Sequence, residues 1–145
     1  MANRGFACIG LESPKFAENV GSALRAAGCY GAAMVASSGP RFKSLSTDTK
    51  KLYKHLPYLV VDDLQQAVPH MCVPVAIELT EDATALPGFV HPERAFYIFG
   101  PEDGSISESV QAWCSQRVYV PTEGCMNIAA TINVVLYDRQ CKQSV

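Results

Sequence analysis

Short apolar runs alternate with helix-like segments along the chain. The first run, residues 6–11, predicts a strand. Residues 20–27 have the spacing of a helix, with Asn19 as a plausible N-cap and Gly28 as a plausible terminator. Further strands are predicted at 32–36, 58–61, 73–79, 95–99 and 117–120, and further helical segments at 47–55, 63–68, 105–113 and 127–140. Strands separated by helices predict an α/β fold, a mostly parallel sheet flanked by helices, in a single domain over residues 1–145.

Three loops of unusual composition follow predicted strands, at residues 12–19, 100–105 and 121–126. Parallel α/β sheets bind their ligands in loops at the carboxyl ends of the strands. The three loops together therefore predict one binding site.

The composition narrows the class of protein. A chain of 145 residues with 48% hydrophobic and 18% charged residues is typical of an ordinary globular domain, and no apolar run has the roughly 20 residues of a membrane span. The six cysteines form no C-x-x-C pair and lie mostly in apolar runs, which indicates reduced, buried thiols and a cytoplasmic location. The three histidines are scattered, so no metal site is expected.

The net charge of −2 hides an asymmetry between the two parts of the chain. Residues 1–60 carry a net charge of +5 and residues 61–145 a net charge of −7. The basic part could contact nucleic-acid phosphates or simply form a solvated face. The candidate contacts are Arg41, Lys43, Lys50, Lys51 and Lys54.

The first segment with distinctive chemistry is Asn19-x-Gly21-x-x-x-Arg25, at the start of a helix of small residues. Arg25 remains charged and has the geometry of a phosphate ligand, so it calls for an acidic or phosphate partner. Two other interpretations stay open: Arg25 extends to the surface, or it pairs with Glu18.

The second segment is Phe99-Gly100-Pro101-Glu102, where an apolar strand runs into a loop. Glycines let a ligand approach the backbone, and Glu102 could accept hydrogen bonds from a ligand or from loop amides. The same sequence also makes a good turn with no ligand at all.

The third segment leads from a strand through a Pro-Gly loop into a helix of small residues. Amides ahead of a helix N-terminus suit the polar atoms of a ligand, although Asn127 serves equally well as a helix cap. The candidate ligand contacts in this segment are Val120, Pro121, Gly124, Cys125, Met126, Asn127 and Ala129.

In their order along nearly the whole chain, the three segments resemble the motifs of the SpoU/TrmH family of SPOUT methyltransferases. The resemblance implies a SPOUT fold with a C-terminal trefoil knot, an obligate homodimer, and S-adenosylmethionine bound by the second and third segments. It also implies methyl transfer to a ribose 2′-hydroxyl of RNA, with tRNA favoured over rRNA. Arg25 and Asn19 then belong to the catalytic centre, and the five basic candidates contact RNA.

Ser105, Cys125 and Ala129 differ from the residues that family members commonly carry at these places. A non-catalytic RNA-binding or regulatory protein is therefore the alternative. An unrelated nucleotide-binding enzyme is disfavoured, because the chain has no G-x-G-x-x-G, no phosphate-binding lysine loop and no nucleophile elbow.

Overall fold

The computed structural model describes residues 5–39 and 56–143, and within them seven strands form one sheet of order β3-β2-β1-β6-β4-β7-β5. The strands are β1 (Phe6–Glu12), β2 (Met34–Ser38), β3 (Tyr58–Val61), β4 (Val73–Ile77), β5 (Thr84–Ala85), β6 (Arg94–Phe99) and β7 (Gln116–Tyr119). Every strand pairing in these ranges is parallel. The predicted mostly parallel sheet is confirmed.

Helices cover both faces of the sheet. They are α1 (Ala17–Tyr30), α2 (Glu108–Gln111) and α3 (Ile128–Gln143), together with 3₁₀ turns at Leu64–Ala67 and Leu86–Gly88. Helices α1 and α3 pack against each other and share one apolar core with the sheet, whereas α2 and the first 3₁₀ turn belong to the core on the opposite face.

Alternation along the central strands supplies both cores. On β6, Tyr97 and Phe99 belong to the α1/α3 side, while Phe96 and Ile98 belong to the α2 side. All four are at most 3% exposed. Successive side chains of a strand point to opposite faces, so a strand buried on both sides is apolar throughout. The continuous apolar run at residues 95–99, from which a strand was predicted, follows from this burial on both faces.

The predicted ends of α1 were wrong. The helix begins at Ala17, with Phe16 in the extended N-cap position, so Asn19 is inside the first turn. It runs past Gly28 and ends at Gly31, whose φ of 69° is in the left-handed region that glycine adopts without strain. Asn19 is therefore not the N-cap of α1, and its side chain can bond to a residue elsewhere in the fold.

Other boundaries shifted by a few residues. Ser37 and Ser38, which lie just beyond the predicted strand at 32–36, are buried at the end of β2, and the predicted strand at 73–79 ends at Ile77. The helical segment predicted at 105–113 is helical only at Glu108–Gln111, and Ser107 caps it, because its side chain accepts a hydrogen bond from the amide of Val110. The short strand β5 was not predicted.

The cysteines are all unpaired, but only Cys8, Cys72 and Cys114 are buried as predicted. No helix within the described ranges is long and apolar enough to cross a membrane. The predicted helix at 47–55 lies outside the described residues, and so do the five basic candidates, Arg41, Lys43, Lys50, Lys51 and Lys54.

Candidate functional site

A cleft of about 460 Å³ opens at the carboxyl edge of the sheet. Its walls come from the start of α1, from the ends of β4 and β6, and from the loop that leads into α3. The lining residues are Asn19, Ile77, Glu78, Phe99, Gly100, Pro101, Glu102, Gly104, Cys125, Met126, Asn127, Ile128 and Thr131. The three sequence segments therefore meet at one place, as their positions after strands predicted.

Glu102 joins the first segment to the second. Its Oε1 accepts a hydrogen bond of 2.7 Å from the side-chain amide of Asn19, and its Oε2 accepts one of 2.8 Å from the backbone amide of Lys15. Of the two roles predicted for Glu102, the structure shows the bonding of a loop amide. The carboxylate fixes the loop before α1 against the loop after β6.

A second carboxylate ties the same loops together from the opposite face of the sheet. Glu12, at the end of β1, accepts hydrogen bonds from the backbone amide of Ser107 at 2.7 Å and from its hydroxyl at 2.5 Å. Gly100 is also needed in this loop, because a Cβ there would lie 2.9 Å from the backbone nitrogen of Ile106. The loop after β6 is thus a tightly packed wall, not merely a turn.

The third segment forms the opposite wall. The hydroxyl of Thr122 donates to the carbonyl of Gly124 at 2.7 Å, which closes the turn. Asn127 caps α3, since its Oδ1 accepts from the amide of Ala130 at 2.8 Å, and it also lines the cleft. The two roles considered for Asn127 are therefore compatible.

Several predicted site residues do not line the cleft: Arg25, Val120, Pro121, Gly124 and Ala129. Arg25 is exposed on α1, six residues beyond Asn19 and hence about 9 Å further along the helix axis. It forms no hydrogen bond or ion pair with Glu18 or with any other residue in the described part of the chain. The structure therefore places Arg25 outside the described cleft.

Glu78 is the most consequential residue that the sequence analysis missed. It follows β4 directly, and its amide donates to the carbonyl of Val118 at 2.9 Å. Glu78 is partly buried and lines the cleft, and its side chain has no hydrogen-bonding or ionic partner in the described ranges. The available signal is an ionisable residue within the apolar run 73–79, although the run as a whole predicts a strand.

A buried polar network was also missed, and it anchors α3 to the sheet. Arg139, only 6% exposed, donates to the carbonyls of Pro92 at 2.8 Å and Glu93 at 2.7 Å. It also donates to the hydroxyl of Tyr97 at 2.9 Å. Burial raises the pKa of Tyr97 to about 12, so this hydroxyl stays protonated.

His91 continues this network. Its Nδ1 is 2.7 Å from the Tyr97 hydroxyl, and its Nε2 is 2.7 Å from Asp138, which also pairs with Lys142 at 2.8 Å. Burial lowers the pKa of His91 and favours the neutral ring. Burial acts to raise the pKa of Asp138, but hydrogen bonds from Lys142 and His91 outweigh it and lower that pKa.

No cluster of three or more potential metal ligands occurs in the described ranges.

Fold and site define a parallel α/β protein with a cleft of cofactor size at the carboxyl ends of its central strands. The sequence model of the SpoU rRNA Methylase family matches residues 7–137. The chain therefore belongs to the SpoU methylase family. A comparison with curated protein sequences yields no significant match.

Solved structures share the fold at low sequence identity. The SpoU methyltransferase AviRb from Streptomyces viridochromogenes, in complex with AdoMet, has a TM-score of 0.85 at 18% identity, over 99% of this chain and 60% of that one. The TrmH/SpoU tRNA modifying enzyme of A. aeolicus has a TM-score of 0.84 at 14% identity, over 98% and 77% of the two chains. A structure described as giving insights into the 2-OH methylation of C/U34 on tRNA has a TM-score of 0.81 at 21% identity, over 97% of both chains. This chain thus spans about 60% of the length of AviRb but nearly all of the last protein.

Proposed function

We propose that this protein transfers a methyl group from S-adenosylmethionine to a ribose 2′-hydroxyl of RNA, with tRNA as the substrate class. The observation that carries the proposal is the hydrogen bond between Asn19 and Glu102. It joins the first two family motifs at a cleft whose other wall is the third motif. Family membership supplies the reaction class, and the cleft supplies a place for the cofactor.

The residues of the cleft fit S-adenosylmethionine. A volume of about 460 Å³ is within the range of small-molecule sites. Ile77, Met126 and Ile128 offer apolar surface to a base. Two carboxylates and no basic side chain are among the described lining residues, which suits a ligand of net positive charge. When bound, the cofactor supplies an electrophilic methyl group on a sulfonium, and AviRb has been solved with this cofactor.

Alignment of the ribose and stabilisation of its developing alkoxide then fall to the protein. Arg25 is exposed and has no partner in the described ranges, so it can hold the phosphate beside the target ribose. A guanidinium does not normally give up its proton, so we assign Arg25 to charge stabilisation and the proton to a phosphate oxygen or water. Asn19, held by Glu102, fixes the start of the helix that carries Arg25.

The tRNA assignment is supported by the coverage of 97% in both directions with the structure concerned with C/U34 on tRNA. The basic candidates at residues 41–54 would contact RNA phosphates, so affinity for RNA should fall as salt rises. Replacing them with alanine should flatten this dependence.

We also propose that the protein acts as a homodimer and that its C-terminal segment is knotted, as in the family. Val134 and Tyr137 of α3 are 37% and 55% exposed and, with Tyr30, border a largely apolar groove of about 400 Å³. A second copy of the chain would cover these side chains. Light scattering tests the dimer: a monomer at micromolar concentration would overturn it.

Methyl incorporation tests the central proposal. The purified protein is incubated with labelled S-adenosylmethionine and either tRNA or rRNA, and the digested RNA is analysed for 2′-O-methylnucleosides. We expect methylation of tRNA. The Arg25→Ala variant should lose the transfer but keep its affinity for S-adenosylmethionine within about twofold. Cofactor and RNA binding without transfer by the wild type would instead support the non-catalytic alternative. Methylation of rRNA alone would reassign the substrate.

A further inference from the structure

The carboxylate of Glu78 is the one acidic group of the described cleft that the fold itself does not use. Glu102 accepts hydrogen bonds from Lys15 and Asn19, whereas Glu78 has no side-chain partner in the described ranges. A partly buried carboxylate without protein donors needs water or a ligand to satisfy it. Glu78 follows the last residue of β4 and is one of the residues that line the cleft.

An ionised carboxylate only accepts hydrogen bonds, so its partner must be a donor. Neighbouring hydroxyls on a ribose suit it well, because its two oxygens can each accept from one hydroxyl. An acidic residue near a strand end binds ribose hydroxyls in this way in parallel-sheet dinucleotide sites of another fold. Next to Glu78, Ile77 and Ile128 supply the apolar surface on which the attached base would rest.

Resting on the proposed function, we infer that Glu78 is the residue that recognises the ribose of the adenosyl cofactor, by accepting hydrogen bonds from its 2′- and 3′-hydroxyls. Glu78 thereby selects ribonucleosides over deoxyribonucleosides in the cleft. It acts in binding and takes no part in the movement of the methyl group or of the proton.

The inference is tested by calorimetry with ligands that lack the sulfonium. The two methylthioadenosines among them are uncharged, so they separate recognition of the hydroxyls from attraction of a cation. The probes are S-adenosylhomocysteine, 5′-methylthioadenosine and 2′-deoxy-5′-methylthioadenosine. The protein is compared with Glu78→Gln and Glu78→Ala, and with Glu81→Gln as a matched control, since Glu81 is exposed and does not line the cleft. Because the Glu78 side chain has no partner in the described ranges, both variants should keep the wild-type circular dichroism and unfolding temperature.

We expect the wild type to prefer 5′-methylthioadenosine to its 2′-deoxy form, and Glu78→Ala to bind 5′-methylthioadenosine about 10- to 100-fold more weakly. The variant should also lose the preference between the two nucleosides, while Glu81→Gln retains it. Unchanged affinity in both Glu78 variants overturns the inference. So does a loss confined to S-adenosylhomocysteine with both nucleosides bound as by the wild type, because that would place Glu78 beside the amino-acid end of the ligand.

Failure of this inference is distinguishable from failure of the proposed function. If the wild-type protein binds none of the adenosyl ligands, the proposed cofactor is wrong and the inference about Glu78 is wrong with it. If the wild type binds them and the Glu78 variants bind them equally well, only the inference about Glu78 is overturned.

Discussion

Replacing Asn19 and Glu102 by alanine, singly and together, measures the contact that joins the first two motifs. Their hydrogen bond is 2.7 Å long and its acceptor is a carboxylate. Hydrogen bonds to charged groups contribute about 1.5–3 kcal/mol, and the partial burial of this one favours the lower end. We expect a coupling free energy of about 1.5 kcal/mol in the double-mutant cycle. Each single change should lower the unfolding temperature by about 3–6 °C.

The assay is urea unfolding of the four proteins, followed by the same cycle for S-adenosylhomocysteine affinity. Lys15 and Asp103 provide a matched control pair on the same two loops. Their charged atoms are 3.9 Å apart and their side chains are 47% and 45% exposed, so their coupling should stay below about 0.5 kcal/mol. Non-additivity of Asn19 and Glu102 no larger than about 0.3–0.5 kcal/mol would refute the reasoning, because unconnected residues reach that value.

Three further predictions concern parts of the molecule that position the cleft. Arg139→Met should reduce the free energy of unfolding, measured in urea, by about 2–4 kcal/mol, because the carbonyls of Pro92 and Glu93 lose their donor. A reduction of less than about 1 kcal/mol would contradict this prediction. Burial lowers the pKa of His91 in the folded protein below its ordinary value of 6.5. As pH falls, His91 therefore binds its proton at a higher pH in the unfolded chain than in the folded protein. The free energy of unfolding of the wild type should then decrease as pH falls below about 6.5. His91→Phe should flatten this dependence, and an equal slope in both proteins contradicts it. Gly100→Ala places a Cβ 2.9 Å from the backbone nitrogen of Ile106. It should therefore lower the free energy of unfolding by about 1–3 kcal/mol and weaken the binding of S-adenosylhomocysteine. Affinity equal to that of the wild type would contradict this prediction.

The sequence predicted the central strands and the meeting of the three loops, because both depend on local patterns. Residues 95–99 are apolar since β6 is buried on both faces, and loops after parallel strands collect at one edge of a sheet. The prediction that Asn19 caps α1 was wrong because of a contact that is distant in sequence. Asn19 has the local preference of a cap, but its side chain bonds to Glu102, 83 residues further along the chain.

The network around Arg139 lay beyond local patterns. Its partners Tyr97, Glu93 and Pro92 are 42 to 47 residues away, and a lone arginine on a helix is usually expected at the surface. Similarly, Ser105 and Ser107 are both acceptable caps for α2 by sequence. Glu12, at the end of β1, holds the amide and hydroxyl of Ser107 and so accounts for the choice.

The position of β6 explains why one cleft can draw on residues from the whole chain. Strand β6 pairs with β1 on one side and with β4 on the other, and β4 pairs with β7. The loops after these four strands are therefore neighbours, although Asn19 and Asn127 are more than 100 residues apart in sequence. Asn127 starts α3 at the cleft, while Arg139 fixes the same helix near the amino end of β6. The wall formed by residues 125–128 is thus held from two ends of one helix, so contacts far from the cleft help to set its shape.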